Sequence, residues 1–132
     1  MGEETKTILI VDDEKPLRDV LSKHLRKEGF MTEEAKDGAE GLKKALETHP
    51  DLILLDVMMP KLDGLGVLKE LKKDKWGQYV SVIMLTNIGD PIKAAEVTEI
   101  ADTNMGISDY LVKSDWKMDE VVQKVKQKLE LI

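Results

Sequence analysis

The chain of 132 residues contains no cysteine. A disulfide framework, a thiolate zinc site and a thiol nucleophile are thereby excluded. Basic charge is not in excess either: 20 Lys+Arg stand against 26 Asp+Glu, for a net charge of −6. Nucleic-acid binding draws on Lys and Arg neutralising phosphates, and no local basic face offsets the acidic balance, so no nucleic-acid partner is expected for this chain. No wholly apolar run exceeds four residues, as in Leu52 to Leu55, against the roughly 18 needed to span a bilayer, so no membrane partner is expected. The opening Met1-Gly2-Glu3-Glu4 lacks the basic region and apolar core of a signal peptide. Low-complexity tracts, internal repeats and linker-like stretches are missing too. A cytoplasmic domain is the expectation.

What is present is a regular alternation. A chain of this length supports one domain with a self-sufficient core. Ile8-Leu9-Ile10-Val11 ends in Asp12-Asp13, Leu52-Ile53-Leu54-Leu55 ends in Asp56, and Val80 to Leu85 ends in Thr86. Short continuous apolar runs read as strands buried on both faces, the mark of a parallel sheet. Two weaker strands fit Phe30 to Ala35 and Ile107 to Val112. Helical spacing predicts a first helix over 15–28, with Leu17, Val20, Leu21, His24 and Leu25 inward, Pro16 early and Gly29 closing it. Further helices are predicted over 38–48 (Ala39, Leu42, Ala45 and Leu46 inward), 64–73, 90–104 and 116–131. Five β-α repeats mean a five-stranded parallel sheet with helices on both faces.

Open parallel sheets bind ligands at the carboxyl ends of their strands. Those ends hold Asp12, Asp13, Asp56, Thr86 and Lys113. In a sheet of order 2-1-3-4-5 the first and third strands are neighbours, so three carboxylates converge. Two like charges about 4 Å apart repel by about 4 kcal/mol at an effective dielectric of about 20, which calls for protonation, water or a cation. Hard oxygen ligands on a shallow edge suit Mg²⁺. A metal, a lysine and a hydroxyl around a carboxylate describe a phosphoryl-binding site, in which an aspartate can be the nucleophile.

The sequence resembles the receiver domain of two-component response regulators. Ile8-Leu9-Ile10-Val11-Asp12-Asp13-Glu14, Leu54-Leu55-Asp56-Val57-Met58-Met59-Pro60 with Asp63-Gly64, Thr86, and Tyr110-Leu111-Val112-Lys113 carry the likeness. It implies one receiver domain over 1–132, with its core at about 6–130 and no output domain, in the flavodoxin-like α/β fold. Asp56 would accept a phosphoryl group from a histidine kinase or phosphotransfer protein. Asp13, Asp56 and the Met58 backbone carbonyl would hold Mg²⁺, or Mn²⁺ in its place, with Asp12 acting through a water. Lys113 would pair with a phosphoryl oxygen and Thr86 would hydrogen-bond the phosphoryl group. Tyr110 would then turn inward and change the surface of the fourth helix, fifth strand and fifth helix, where a downstream protein target or a second copy in a homodimer would dock. The chain would be a switch rather than an enzyme, catalysing only its own phosphorylation and dephosphorylation.

Two features depart from the family pattern. Ser114 follows Lys113 where proline is usual, and a cis bond before a non-proline residue costs about 2.5–4 kcal/mol. A trans bond, or a cis bond at local cost, with Ser114 capping the last helix, is the expectation. The Thr86–Lys113 interval is also long, with the extra residues around Glu99 to Gly106. The competing reading is a phosphorylation-independent interaction module of the same fold. Blander roles weigh against single residues: Asp12-Asp13 as a helix cap, Thr86 as an ordinary strand end, Lys113 as a solvated lysine, Tyr110 as a packed aromatic. His24 reads as a packed histidine and His49 as a loop residue. No role follows for Trp76.

Overall fold

The computed structural model describes residues 5–60, 62–86, 107–112 and 117–129, with backbone only for 86 and 107–112. Five strands, β1 (Thr7–Val11), β2 (Met31–Ala35), β3 (Leu52–Asp56), β4 (Ser81–Thr86) and β5 (Ile107–Val112), form one parallel sheet of order β2-β1-β3-β4-β5. Helices α1 (Lys15–Lys27), α2 (Gly38–Thr48) and α3 (Gly64–Leu71), and the C-terminal helix Met118–Lys128, accompany it. The helix expected over 90–104 lies outside the described residues, as do Lys113 and Ser114.

Residues alternate sides along a strand, and the sheet divides its apolar residues accordingly. Ile8, Ile10, Leu52, Leu54, Ile83 and Leu85 pack against Leu21 and Leu25 of α1 and Val121, Val122 and Val125 of the C-terminal helix. Leu9, Val11, Ile53, Leu55, Val82 and Met84 pack on the opposite side with Ala45 of α2 and Leu65, Val67, Leu68 and Leu71 of α3. Both sides of β3 are covered, so all five of its residues are buried. β2, at one edge, is half-exposed along most of its length.

Several helix faces differ from the expected ones. In α2 the buried residues are Gly38, which abuts Leu62 and Val67, and Gly41 and Ala45, whereas Ala39 and Leu46 are exposed. The cause is close approach: a Cβ on Gly41 would lie 2.6 Å from Val11 Cγ1. The two glycines, which count as neutral in an apolar pattern, decide which way α2 is rotated. Val20, expected inward on α1, is 42% exposed. The last helix begins at Met118 with Lys117 as its N-cap; the cap expected of Ser114 falls outside the described residues. Asp119 and Glu120 in its first turn face the positive end of the helix dipole.

At the amino edge of the sheet the chain closes on itself. His49 ends α2 in the left-handed region (φ 50). Its ring stacks on Trp76 with centroids 4.3 Å apart and planes 10° from parallel. Asp74 accepts from the N–H groups of Trp76 (2.9 Å) and Gly77 (2.8 Å). Lys72 donates to the carbonyls of Gly77 (3.0 Å) and Gln78 (3.2 Å). Desolvation by burial lowers the Lys72 pKa from its ordinary 10.5.

Candidate functional site

Register builds the site. Val11 pairs with Leu55 across β1 and β3, so the next residues on each strand are Asp12 and Asp56, side by side. Parallel neighbours are about 4.8 Å apart. Both aspartates lie two residues past members of the same core cluster, Ile10 and Leu54, so the period of two turns them to the same side of the sheet. Asp12 is fully buried and Asp56 is 2% exposed. Exposed Asp13 completes the group: one carboxylate oxygen from each of Asp12, Asp13 and Asp56 lies within 4.8 Å of the others.

The surrounding backbone fixes these groups. The Asp12 N–H donates to the Ala35 carbonyl (3.1 Å), and its Oδ1 accepts from the Glu14 N–H (2.8 Å). Asp56 Oδ1 accepts from the Met58 N–H at 3.2 Å. The chain then turns into α3, where Gly64 N–H donates to the Val57 carbonyl at 3.0 Å and Asp63 caps the helix through Gly66 N–H at 2.8 Å. Gly64 is required by space: a Cβ there would sit 2.2 Å from the Asp56 carbonyl oxygen.

The donor set fits a hard divalent cation. Opposite oxygens of a Mg²⁺ octahedron are about 4.2 Å apart, close to the span of the three carboxylates. At no more than 4.8 Å apart each carboxylate pair repels by at least about 3.5 kcal/mol at an effective dielectric of about 20, and a cation relieves that repulsion. Two buried oxygens and one exposed group also leave a side open to water, which Mg²⁺ retains.

The other expected site residues are placed by backbone alone. Thr86 ends β4 one residue past Leu85, the register partner of Asp56, and pairs with Val112 of β5. Tyr110 pairs with Met84. Both therefore belong to the half of the sheet adjoining Asp56. Lys113 would follow Val112 directly but lies outside the described residues. The Met58 side chain is 43% exposed beside Asp56.

One contact at the site escaped sequence reasoning. Arg18 Nη1 donates to the Asp12 carbonyl at 2.7 Å, and its Nε lies 3.4 Å from the Glu34 carboxylate. The available signal was a cation one helical turn past Glu14, directly after an acidic strand end.

Comparison with known proteins agrees with this geometry. The family model described as response regulator receiver domain matches residues 8–126. A probable transcriptional regulator, ycf27, of Guillardia theta is 42% identical over 111 residues, covering 83% of this chain and 41% of the relative. The alkaline phosphatase synthesis transcriptional regulatory protein PhoP of Bacillus subtilis is 41% identical over 108 residues, covering 82% and 42%. The chain thus spans about two fifths of the length of these relatives. Among solved structures, the receiver domain of a signal transduction histidine kinase from Syntrophus aciditrophicus superposes with a TM-score of 0.85 at 30% identity, covering 97% of this chain and 92% of that one. Chemotaxis protein CheY4 of Vibrio cholerae gives 0.81 at 27% identity, covering 94% and 98%. With a matched family model over most of its length and the acidic group at the carboxyl edge of a 2-1-3-4-5 sheet, the chain belongs to the response regulator receiver domain family.

Proposed function

We propose that Asp56 is the phosphoacceptor of a Mg²⁺-dependent switch, a reading carried by the convergence of the Asp12, Asp13 and Asp56 carboxylates at the carboxyl edge. In this reading a carboxylate oxygen of Asp56 attacks the phosphorus of a phosphohistidine on a histidine kinase or phosphotransfer protein. The O–P bond forms as the P–N bond breaks, and the electron pair leaves with the imidazole, which takes up a proton. Asp13, Asp56 and the Met58 carbonyl would hold Mg²⁺ (or Mn²⁺), and Asp12 would act through a water. The cation, when bound, supplies positive charge against the oxygens of the transferring group. The Met58 N–H beside Asp56 orients the nucleophile. Lys113 provides a second positive charge, and Thr86 hydrogen-bonds the group once transferred.

Attachment then shifts Thr86 and Tyr110 and alters the face made with β5 and the C-terminal helix. That face meets the downstream target or a second copy. The domain acts in the cytoplasm; among the described residues no helix is long and apolar enough to cross a membrane. The experiment is intact-protein mass spectrometry after incubation with Mg²⁺ and acetyl phosphate, with Asp56→Asn in parallel. A single phosphoryl adduct in the parent and none in the variant is expected. An adduct that persists in Asp56→Asn, or Mg²⁺ binding absent from the parent, overturns the assignment.

A further inference from the structure

We infer that Arg18 is a positioning residue for the cation site: it fixes the Asp12–Asp13 peptide plane and thereby aims the Asp13 carboxylate at Asp56. The inference rests on reading Asp12, Asp13 and Asp56 as a cation site.

The peptide unit is planar, so the Asp12 carbonyl and the Asp13 N and Cα move as one body. The two soft dihedrals on either side of that plane set the direction of the Asp13 Cα–Cβ bond, from which its side-chain torsions place the carboxylate. Asp12 itself is anchored by Ala35 through its N–H and by Glu14 through its carboxylate. The second contact spans the plane that follows, because it joins the Asp12 carboxylate to the Glu14 N–H across Asp13. The Arg18 guanidinium holds the carbonyl of that same plane, donating to it at 2.7 Å. Asp13 is the exposed member of the three, so its direction depends on how its backbone is held.

Arg18 is itself held. Its side chain is only 12% exposed, and Nε lies 3.4 Å from Glu34 Oε1. Glu34 sits on the edge strand opposite Ile10, and its carbonyl accepts from Lys44 of α2. Lys44 in turn lies 3.5 Å from Glu40. A chain of polar contacts therefore runs from α2, around β2, to α1 and onto the strand end that carries the site. Arg suits this post because one planar group donates to a carbonyl through Nη1 while its Nε lies within ion-pair range of a carboxylate, whereas a lysine is a single point of charge.

Geometry and charge predict opposite signs here. A guanidinium beside the site repels a divalent cation, so loss of its charge alone would tighten Mg²⁺ binding. Loss of positioning weakens it. The experiment is calorimetric titration of the whole chain with Mg²⁺ alone, together with thermal melts in the absence of metal. The variants are Arg18→Gln, Arg18→Lys, and Arg18→Gln combined with Asp13→Asn. Arg18→Gln is expected to raise the Mg²⁺ Kd about 10-fold, the scale of lost outer contacts at metal sites. Arg18→Lys, which keeps charge but not the fork, should recover only part of it. In the Asp13→Asn background Arg18→Gln should have little further effect, because the two act through the same group. An unchanged or lower Kd in Arg18→Gln with a reduced melting temperature would show Arg18 to be only a staple for α1 and overturn the inference. A loss that is undiminished in the Asp13→Asn background overturns it equally. Should Arg18→Gln fail to fold, Arg18→Lys decides by the same sign. Absence of Mg²⁺ binding in the parent is a distinct result, which overturns the cation reading.

Discussion

The two ends of the sheet treat charge in opposite ways. At the amino edge, Lys72 is half-buried but faces carbonyls of its own turn, Asp74 takes two backbone N–H groups, and His49 lies flat on Trp76. Each polar group there answers a neighbour of complementary kind, and the result is a closed turn. At the carboxyl edge three carboxylates are brought within 4.8 Å of one another. Like charge gathered at a strand end works against folding stability, whereas it creates affinity for a cation. The first arrangement serves the fold, and the second, in the function proposed above, serves chemistry. Substitutions should therefore separate the two ends: stability should fall at the amino edge with binding intact, and the reverse should hold for the carboxylates.

The strongest test of this contrast is Gly64→Ala, which joins fold and site. Its Cβ would meet the Asp56 carbonyl oxygen at 2.2 Å, and backbone cannot step aside as a side chain would. A loss of about 3 kcal/mol is expected, at the upper end for overpacking, together with weakened Mg²⁺ binding. Urea denaturation and Mg²⁺ titration on the same sample check both. Retained binding at full stability would mean that α3 does not support the site.

Next in size is Trp76→Ala. Removing a partly buried aromatic and its stack on His49 should cost about 2 kcal/mol, less than a fully buried tryptophan. Mg²⁺ affinity should not change. A shifted affinity would show that the two ends are coupled through the sheet.

Asp13→Asn reverses the pattern. Mg²⁺ affinity should fall at least about 10-fold. Stability without metal should rise slightly, because one like charge leaves the cluster, and added salt should shrink the rise. A clear loss of stability would identify Asp13 as a helix cap instead.

The smallest effect concerns Lys72. Desolvation lowers its pKa below 10.5, outweighing the two carbonyl acceptors. As pH rises the folded form loses this proton before the unfolded chain does. The unfolded chain then binds more protons, so the contribution of this group to stability rises with pH through the window ending at 10.5. Lys72→Met removes that rise. Urea midpoints of parent and variant, compared at neutral pH and just below that upper limit, should shift in the parent's favour at the higher pH, and an unchanged difference would count against the burial of this ammonium.

Much of this architecture was legible because it is local. Unbroken apolar runs marked β1, β3 and β4, and each ended in the residue that chemistry would use. The helix faces were less legible. Val20 and Leu46 fit an apolar stripe yet are 42% and 38% exposed. Hydrophobic spacing measures an average direction, whereas the rotation of α2 follows from where Gly38 and Gly41 let backbone come close. The last helix starts at Met118, two residues later than the spacing predicts, with Asp119 and Glu120 in its first turn. The His49–Trp76 stack joins residues far apart in the chain, and no periodicity reports such a pair.

The sequence by itself determined the strand set, the family and the three aspartates, because strand ends and charges are properties of short segments. Tertiary structure alone decided that Asp12 and Asp56 stand abreast, since this depends on the pairing of Val11 with Leu55 across two segments. It also decided that Arg18 reaches the Asp12 carbonyl rather than solvent. That contact spans six residues and arises only when α1 lies on the sheet, because the turn from β1 into α1 sets which way the guanidinium faces.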